Sequence, residues 1–181
     1  GLELHVSTQA STTNWHTVQM WKELGATRVV AAREVSLADL KEMKDNVDIE
    51  IESFVHGSMC ISYSGRCLLS NYMTGNRDAN RGQCSQSCRW KYSLVESNRP
   101  GEYYPIEEDE HGTYIFNSKD LCLIHRIPDL YEAGIDSLKI EGRMKSVHYC
   151  ATVAKVYRTA IDTYLKEGKD WYVRPEWIAE L

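Results

Sequence analysis

No apolar run in this 181-residue chain approaches the ~18 residues that a helix needs to cross a bilayer, and no charged-then-apolar leader opens it. A cytoplasmic protein with no membrane role is therefore expected. A surplus of positive charge is missing too. The 21 Lys and Arg stand against 26 Asp and Glu, a formal charge of −5, which argues against a basic face over the whole chain. Neither the HExxH helix of zinc proteases nor the GxSxG elbow of serine hydrolases is present, so any chemistry has to come from other groups.

What the chain does have is thiols. Of its six cysteines, Cys60 and Cys67 are separated by six residues that include Gly65, Cys84 follows after sixteen more, and Cys88 and Cys122 lie beyond. Four or five soft thiolates converging on one centre point to iron–sulfur or to structural zinc. A disulfide framework is the competing reading, but that device belongs to small secreted domains without a core. A chain of 181 residues with 43% apolar composition buries a sizeable core. Cys150 falls midway along an expected helix and reads as a small buried hydrophobe.

Periodicity places strands at residues 2–7, 28–32, 49–55 and 137–140. Helices are expected at 14–24, closed by Gly25, and at 36–43, with Ser36 as N-cap and Asp39 completing a capping box. Two more are expected at 119–133, ended by Gly134, and at 146–166. The pattern breaks for about sixty residues after the third strand, as long functional loops do. Turn-rich stretches at 98–101 and 107–112 suggest a hairpin or two. The order βα, βα, β-insertion-α, βα favours a parallel sheet and describes half of an eight-fold barrel, with a doubly wound open sheet as the alternative. The fold class expected is thus α/β, a partial TIM-type barrel over residues 1–170 with a cysteine-rich insertion at 56–118. Residues 171–181 read as a linker. The chain starts on a strand without an initiating Met, which suggests a piece of a longer protein whose open strand edges pair with another copy or with added segments.

In parallel α/β folds function collects where strands end. Here those points are polar. Arg33, Lys139 and Arg143 would clamp a dicarboxylate or phosphate, with Gln9, Glu34, Glu52 and Glu141 orienting polar groups; the alternative is an ion-pair ring closing a barrel mouth. His56, four residues before Cys60, reads as a catalytic base or as a partner to a metal ligand, and Glu52 and Glu141 join it as catalytic candidates. His5 reads as a satisfied core histidine. Between residues 76 and 91, Arg77, Arg81, Arg89 and Lys91 face the single acid Asp78, with Trp90 and Tyr92 nearby. That loop is either a solvated flank of the cysteines or a phosphate-binding, base-stacking surface.

The run Glu52-Ser53-Phe54-Val55-His56-Gly57-Ser58-Met59-Cys60, continuing through Gly65-Arg66-Cys67-Leu68-Leu69-Ser70, resembles the signature of the collagenase-like peptidase family, numbered U thirty-two for its unknown catalytic type. The flanks Ser7-Thr8-Gln9, Ala32-Arg33-Glu34, Asn117 to Cys122 and Ser137 to Lys145 resemble it too, and residues 76–90 are most similar to the branch associated with 5-hydroxylation of tRNA uridine. The resemblance implies a [4Fe–4S] cluster on Cys60, Cys67, Cys84 and Cys122, with Cys88 in reserve. It also implies a tRNA or other RNA partner, prephenate as a dicarboxylate ligand, and further barrel strands and a small C-terminal β domain outside the chain. Other branches hydroxylate ribosomal RNA or ubiquinone precursors, and many members are described as proteases. Iron–sulfur-dependent RNA hydroxylation is the leading expectation. A peptidase, and a noncatalytic RNA-binding or scaffold protein, are the alternatives.

Overall fold

The computed structural model describes residues 1–90, 92–105 and 120–181. Its regular elements, in chain order, are β1 (His5–Val6), α1 (Trp15–Glu23), β2 (Arg28–Val30), α2 (Leu37–Asn46), β3 (Glu50–Gly57), α3 (Leu69–Thr74), β4 (Ser93–Leu94), β5 (Tyr104–Pro105), β6 (Leu121–Cys122), α4 (Ile127–Glu132), β7 (Ser137–Glu141), α5 (Val147–Glu167) and α6 (Pro175–Glu180). Local chemistry sets the helix starts. The Asn14 side chain accepts from the Thr17 amide at 3.0 Å, and Ser36 and Asp39 form the expected reciprocal capping box. Gly25 and Gly134 follow α1 and α4 with φ of 92° and 76°, where an L side chain would be strained.

The protein is a mixed α/β fold around an open five-stranded sheet. β1, β2, β3 and β7 run parallel in that order. β7 takes one edge of β3 from Glu52 to Gly57, while the other edge is shared by β2 at its start and by β6 at its end. β6 is antiparallel, pairing Cys122 with His56, which the alternating pattern did not foresee. Val29, Ile51, Val18, Leu40 and Met43 pack α1 and α2 onto β2 and β3. Val55, Ile124, Leu130, Val153, Val156 and Ala160 pack α4 and α5 onto β3 and β7. A side chain as enclosed as Ile51 contributes about 1.5–3 kcal/mol of burial.

Two of the expected assignments change. Of the helix expected over 119–133, Lys119 lies outside the described residues and the rest divides into β6, a 3₁₀ turn at Ile124–Arg126 and the short α4. Pro128 is the reason at one end, since proline fits only a first helical turn. At the other end the backbone of residues 121–123 is claimed by β3, with the Leu123 amide donating to the Val55 carbonyl at 2.9 Å. The turn at 98–101 does join an antiparallel pair, β4 with β5, whereas the one expected at 107–112 lies outside the described residues. Residues 171–181, read as a linker, instead pack on α5. Trp177 is buried, the Trp171 indole donates to the Ala160 carbonyl at 3.1 Å, and Arg174 pairs with Glu167 at 2.6 Å.

Candidate functional site

The four parallel strands end on one edge of the sheet, and the chain leaving each end meets the others around a cavity of about 350 Å³. β1 supplies Ser7, Thr8 and Gln9, β2 leads to Arg33, β3 to Ser58, Met59 and Cys60, and β7 to Lys139, Glu141 and Arg143. Cys67, Cys84 and Cys88 come to the same cavity from the segment after β3.

Two glycines make this convergence possible. Gly57 has φ 102°, and a Cβ there would lie 2.1 Å from the Glu141 carbonyl oxygen. Gly65 has φ 73°, and a Cβ there would lie 2.2 Å from the Gln9 carbonyl oxygen. Any other residue would push the cysteine segment off β7 and β1. Hydroxyls then take the place of an apolar core. The Ser70 hydroxyl accepts from the Ser85 amide at 2.9 Å and meets the Ser85 hydroxyl at 3.0 Å. Ser64, fully buried, donates to Glu34 at 3.0 Å and accepts from the Arg33 amide at 3.1 Å.

Among the cysteines, Cys60, Cys67, Cys84 and Cys88 share the cavity. Burial pushes the Cys60 and Cys88 thiols above their ordinary pKa, and the neighbouring thiols push the same way; Arg33 opposes this at Cys60 and Arg89 at Cys88. Cys122, on β6, is exposed and lies beside Tyr157 rather than at the cavity. Cys150, on α5, contacts the Gly142 carbonyl at 3.7 Å. Among the described residues no three His, Cys, Asp or Glu side chains are gathered tightly enough for a single metal ion. Four soft thiols lining one cavity are the kind of donor set that soft metal ions and iron–sulfur clusters take.

The cationic candidates divide by what they already hold. Lys139 pairs with Glu52 at 2.8 Å, and Arg143 donates to the Gly82 carbonyl at 2.7 Å. Arg33 lies 4.1 Å over the Phe54 ring, and its buried Nε has no partner. Gln9 bonds the Ala79 carbonyl, Glu34 is engaged by Ser64, and Glu141 accepts from Gln86 at 3.2 Å and from the Arg143 amide at 3.0 Å. Glu52 lies lower on the sheet. Burial pushes its carboxyl up, but Lys139, the Ser137 hydroxyl and Arg28 together outweigh this and hold it below the usual range.

His56 faces away from the cavity. Strict alternation would put it with Glu52 and Phe54, but the β3–β7 register slips between Phe54 and His56, and the bulge turns the imidazole toward α5. There its ring lies 5.5 Å from that of Tyr157 and 5.9 Å from that of Tyr149, and burial lowers its pKa. Tyr149 is itself pushed up to about 12, chiefly by burial and then by Asp120.

In the basic loop, Arg81 is 85% exposed, and Arg77 is exposed while donating to the Gln83 and Cys84 carbonyls, each at 3.2 Å. Arg89 turns inward, to the Met59 carbonyl at 2.8 Å and Asp120 at 3.5 Å. Lys91 lies outside the described residues. The aromatic side chains of Tyr63 and Tyr72 are 73% and 84% exposed on the same segment. Sequence reasoning passed over Ser64 and Asn80. Both look like ordinary loop residues, and only the fold shows that Asn80 lines the cavity.

The profile of peptidase family U32 matches residues 1–181. The chain is 54% identical to tRNA hydroxylation protein P1 of Bacillus subtilis over 99% of its own length and 42% of the relative's. It is 43% identical to tRNA hydroxylation protein P of Escherichia coli, over 89% of this chain and 44% of that one. It is 44% identical to an uncharacterized protease of Methanocaldococcus jannaschii, over 91% and 40%. The chain thus spans about two fifths of the length of these relatives. No solved structure matches it.

Proposed function

The chain belongs to peptidase family U32, and on that premise we propose that it is the cluster- and ligand-binding part of an iron–sulfur-dependent enzyme that 5-hydroxylates uridine in tRNA. The observation that carries this reading is the meeting of four thiols and four cationic side chains, Arg33, Arg89, Lys139 and Arg143, at one strand-end cavity, with exposed Arg77 and Arg81 on the adjoining loop. The names of the Bacillus subtilis and Escherichia coli relatives support the substrate class.

Cys60, Cys67 and Cys84 would hold a [4Fe–4S] cluster, with a fourth thiolate from Cys122, as the family resemblance implies, or from Cys88, which lines the cavity. When bound, such a cluster supplies one-electron redox chemistry. Arg33, Lys139 and Arg143 would bind a small dicarboxylate, prephenate in this reading, with Gln9, Glu34 and Glu141 fixing the loops around it. Arg77 and Arg81 would meet RNA phosphates, and Tyr63 and Tyr72 offer ring faces to unstacked bases. The open edges of β1 and β7 fit half of a barrel completed by further segments of the parent protein or by a second copy. Arg28, Glu52, Ser137 and Lys139 would then line its interior.

The peptidase alternative needs a histidine beside a reactive thiol; His56 is buried against Tyr149 and Tyr157, away from the four cavity thiols, and the cysteine opposite it on β6 is the exposed Cys122. Mass spectrometry of tRNA nucleosides from cells lacking the parent gene tests the proposal. Loss of a hydroxylated uridine is the expected result, and unchanged RNA would put the peptidase ahead.

A further inference from the structure

Buried polar side-chain atoms are nearly always hydrogen-bonded, so those that no protein group meets call for a partner from outside the chain, a water, an ion or a ligand. Among the described residues three have no partner: Arg33 Nε, Asn80 Oδ1 and His56 Nδ1. His56 faces α5, but Arg33 and Asn80 line the same cavity. One is a donor and the other an acceptor. No carboxylate lies within ion-pairing distance of Arg33 among the described residues, whereas Lys139 is matched by Glu52. A cation left unpaired in a cavity calls for an anion.

Asn80 is held there by design of the fold. It sits in the 3₁₀ turn Ala79–Arg81, whose amide at Asn80 is capped by Asp78 at 2.9 Å. Gln9 at the end of β1 bonds the Ala79 carbonyl, and Arg143 after β7 bonds the Gly82 carbonyl at 2.7 Å. Two strand ends thus strap the turn over the cavity and fix where Asn80 Oδ1 stands.

We infer that Asn80 is a specificity-determining residue of this cavity, accepting a hydrogen bond from a hydroxyl group on the same small acid whose carboxylate Arg33 holds. Prephenate, the dicarboxylate proposed above, carries such a hydroxyl, and Asn80 gives that group its partner. This rests on the anion-pocket reading above and adds to it a reason for the ligand's second functional group. An acid without the hydroxyl leaves Asn80 Oδ1 buried and unpaired, a penalty worth about tenfold or more in affinity.

The test is calorimetric titration of the full-length parent protein, purified anaerobically, with malate and with succinate, which differ by one hydroxyl. Malate is expected to bind at least about tenfold more tightly. Asn80→Leu should bring the two acids to one affinity, with Arg33-dependent binding of both showing that the variant is folded, and Asn80→Ser should restore part of the preference. Arg33→Met should weaken both acids. Equal binding of the two acids by the unaltered protein, or a malate preference that survives Asn80→Leu, overturns the role of Asn80 and leaves the anion pocket standing. Absence of any Arg33-dependent binding of either acid overturns the pocket itself, and the inference with it.

Discussion

The helix-backed sheet and the cysteine segment are built from opposite materials. Under α1, α2, α4 and α5 the buried residues are mostly Val, Ile, Leu and Met, with a few Ala and the rings of Tyr157 and Trp177. In the segment after β3 they are Ser58, Ser64, Ser70, Ser85 and Ser87, with Ala79 and Cys67. The first region gains stability from apolar area, which is large and non-directional. The second is held by short hydroxyl and carbonyl hydrogen bonds, which are weaker in net terms but fix direction. Small polar residues also leave space, and the space is where the thiols and Arg33 meet. The sheet supplies rigidity, and the segment supplies a site that depends on it.

The largest expected effect breaks the sheet side. Ile51→Ala should cost about 2–5 kcal/mol in urea unfolding, as one cooperative transition that takes the cysteine segment with it. A next, smaller effect breaks the seam between the regions. Gly65→Ala forces a Cβ into the Gln9 carbonyl at a positive φ, so about 1–3 kcal/mol is expected there. It should appear mainly as faster labelling of the buried Cys67 thiol. Gly75→Ala has similar φ but open space around it, and should cost about 1 kcal/mol without exposing that thiol. If both glycine variants label alike, the close approach at Gly65 is not what seats the segment.

The local signals were the legible ones. Asn14, Ser36 and Asp39 specify helix starts within a few residues of sequence, and the thiols announced themselves by type and spacing. What could not be read was non-local. Residues 121–123 look helical until the free edge of β3 claims their backbone, and the bulge that turns His56 away depends on β7, more than eighty residues later. Asn80 looks like a turn residue because it is one. Its significance comes from Gln9 and Arg143, which meet it only in the fold.

Two finer effects sharpen the contrast. Ser70→Ala leaves the Ser85 amide buried and unpaired, at a cost of about 1–3 kcal/mol confined to the segment. Hydrogen exchange should therefore rise around residues 70–87 while α1 and α2 stay protected. The smallest effect is on pH. Burial holds the His56 pKa below its ordinary value, so the unfolded chain takes up a proton more readily below about pH 6.5. Its contribution is present above that pH and lost as the pH falls through the folded-state pKa. His56→Phe should flatten the mildly acidic limb of stability against pH and leave most of the lower one from Asp120, whose carboxyl Lys145 and Arg89 keep below its usual range against the opposing effect of burial.

The central claim is that the hydrogen-bonded segment gathers Cys60, Cys67 and Cys84 at the strand ends to hold one iron–sulfur cluster. Iron and acid-labile sulfide content of the anaerobically purified full-length protein tests it most directly, compared across single alanine variants. Replacement of Cys60, Cys67 or Cys84 should bring both to background, Cys150→Ala should leave both unchanged, and whichever of Cys88→Ala and Cys122→Ala empties the site names the fourth ligand. A full complement of zinc without sulfide, or loss of iron on replacing Cys150, would contradict the account.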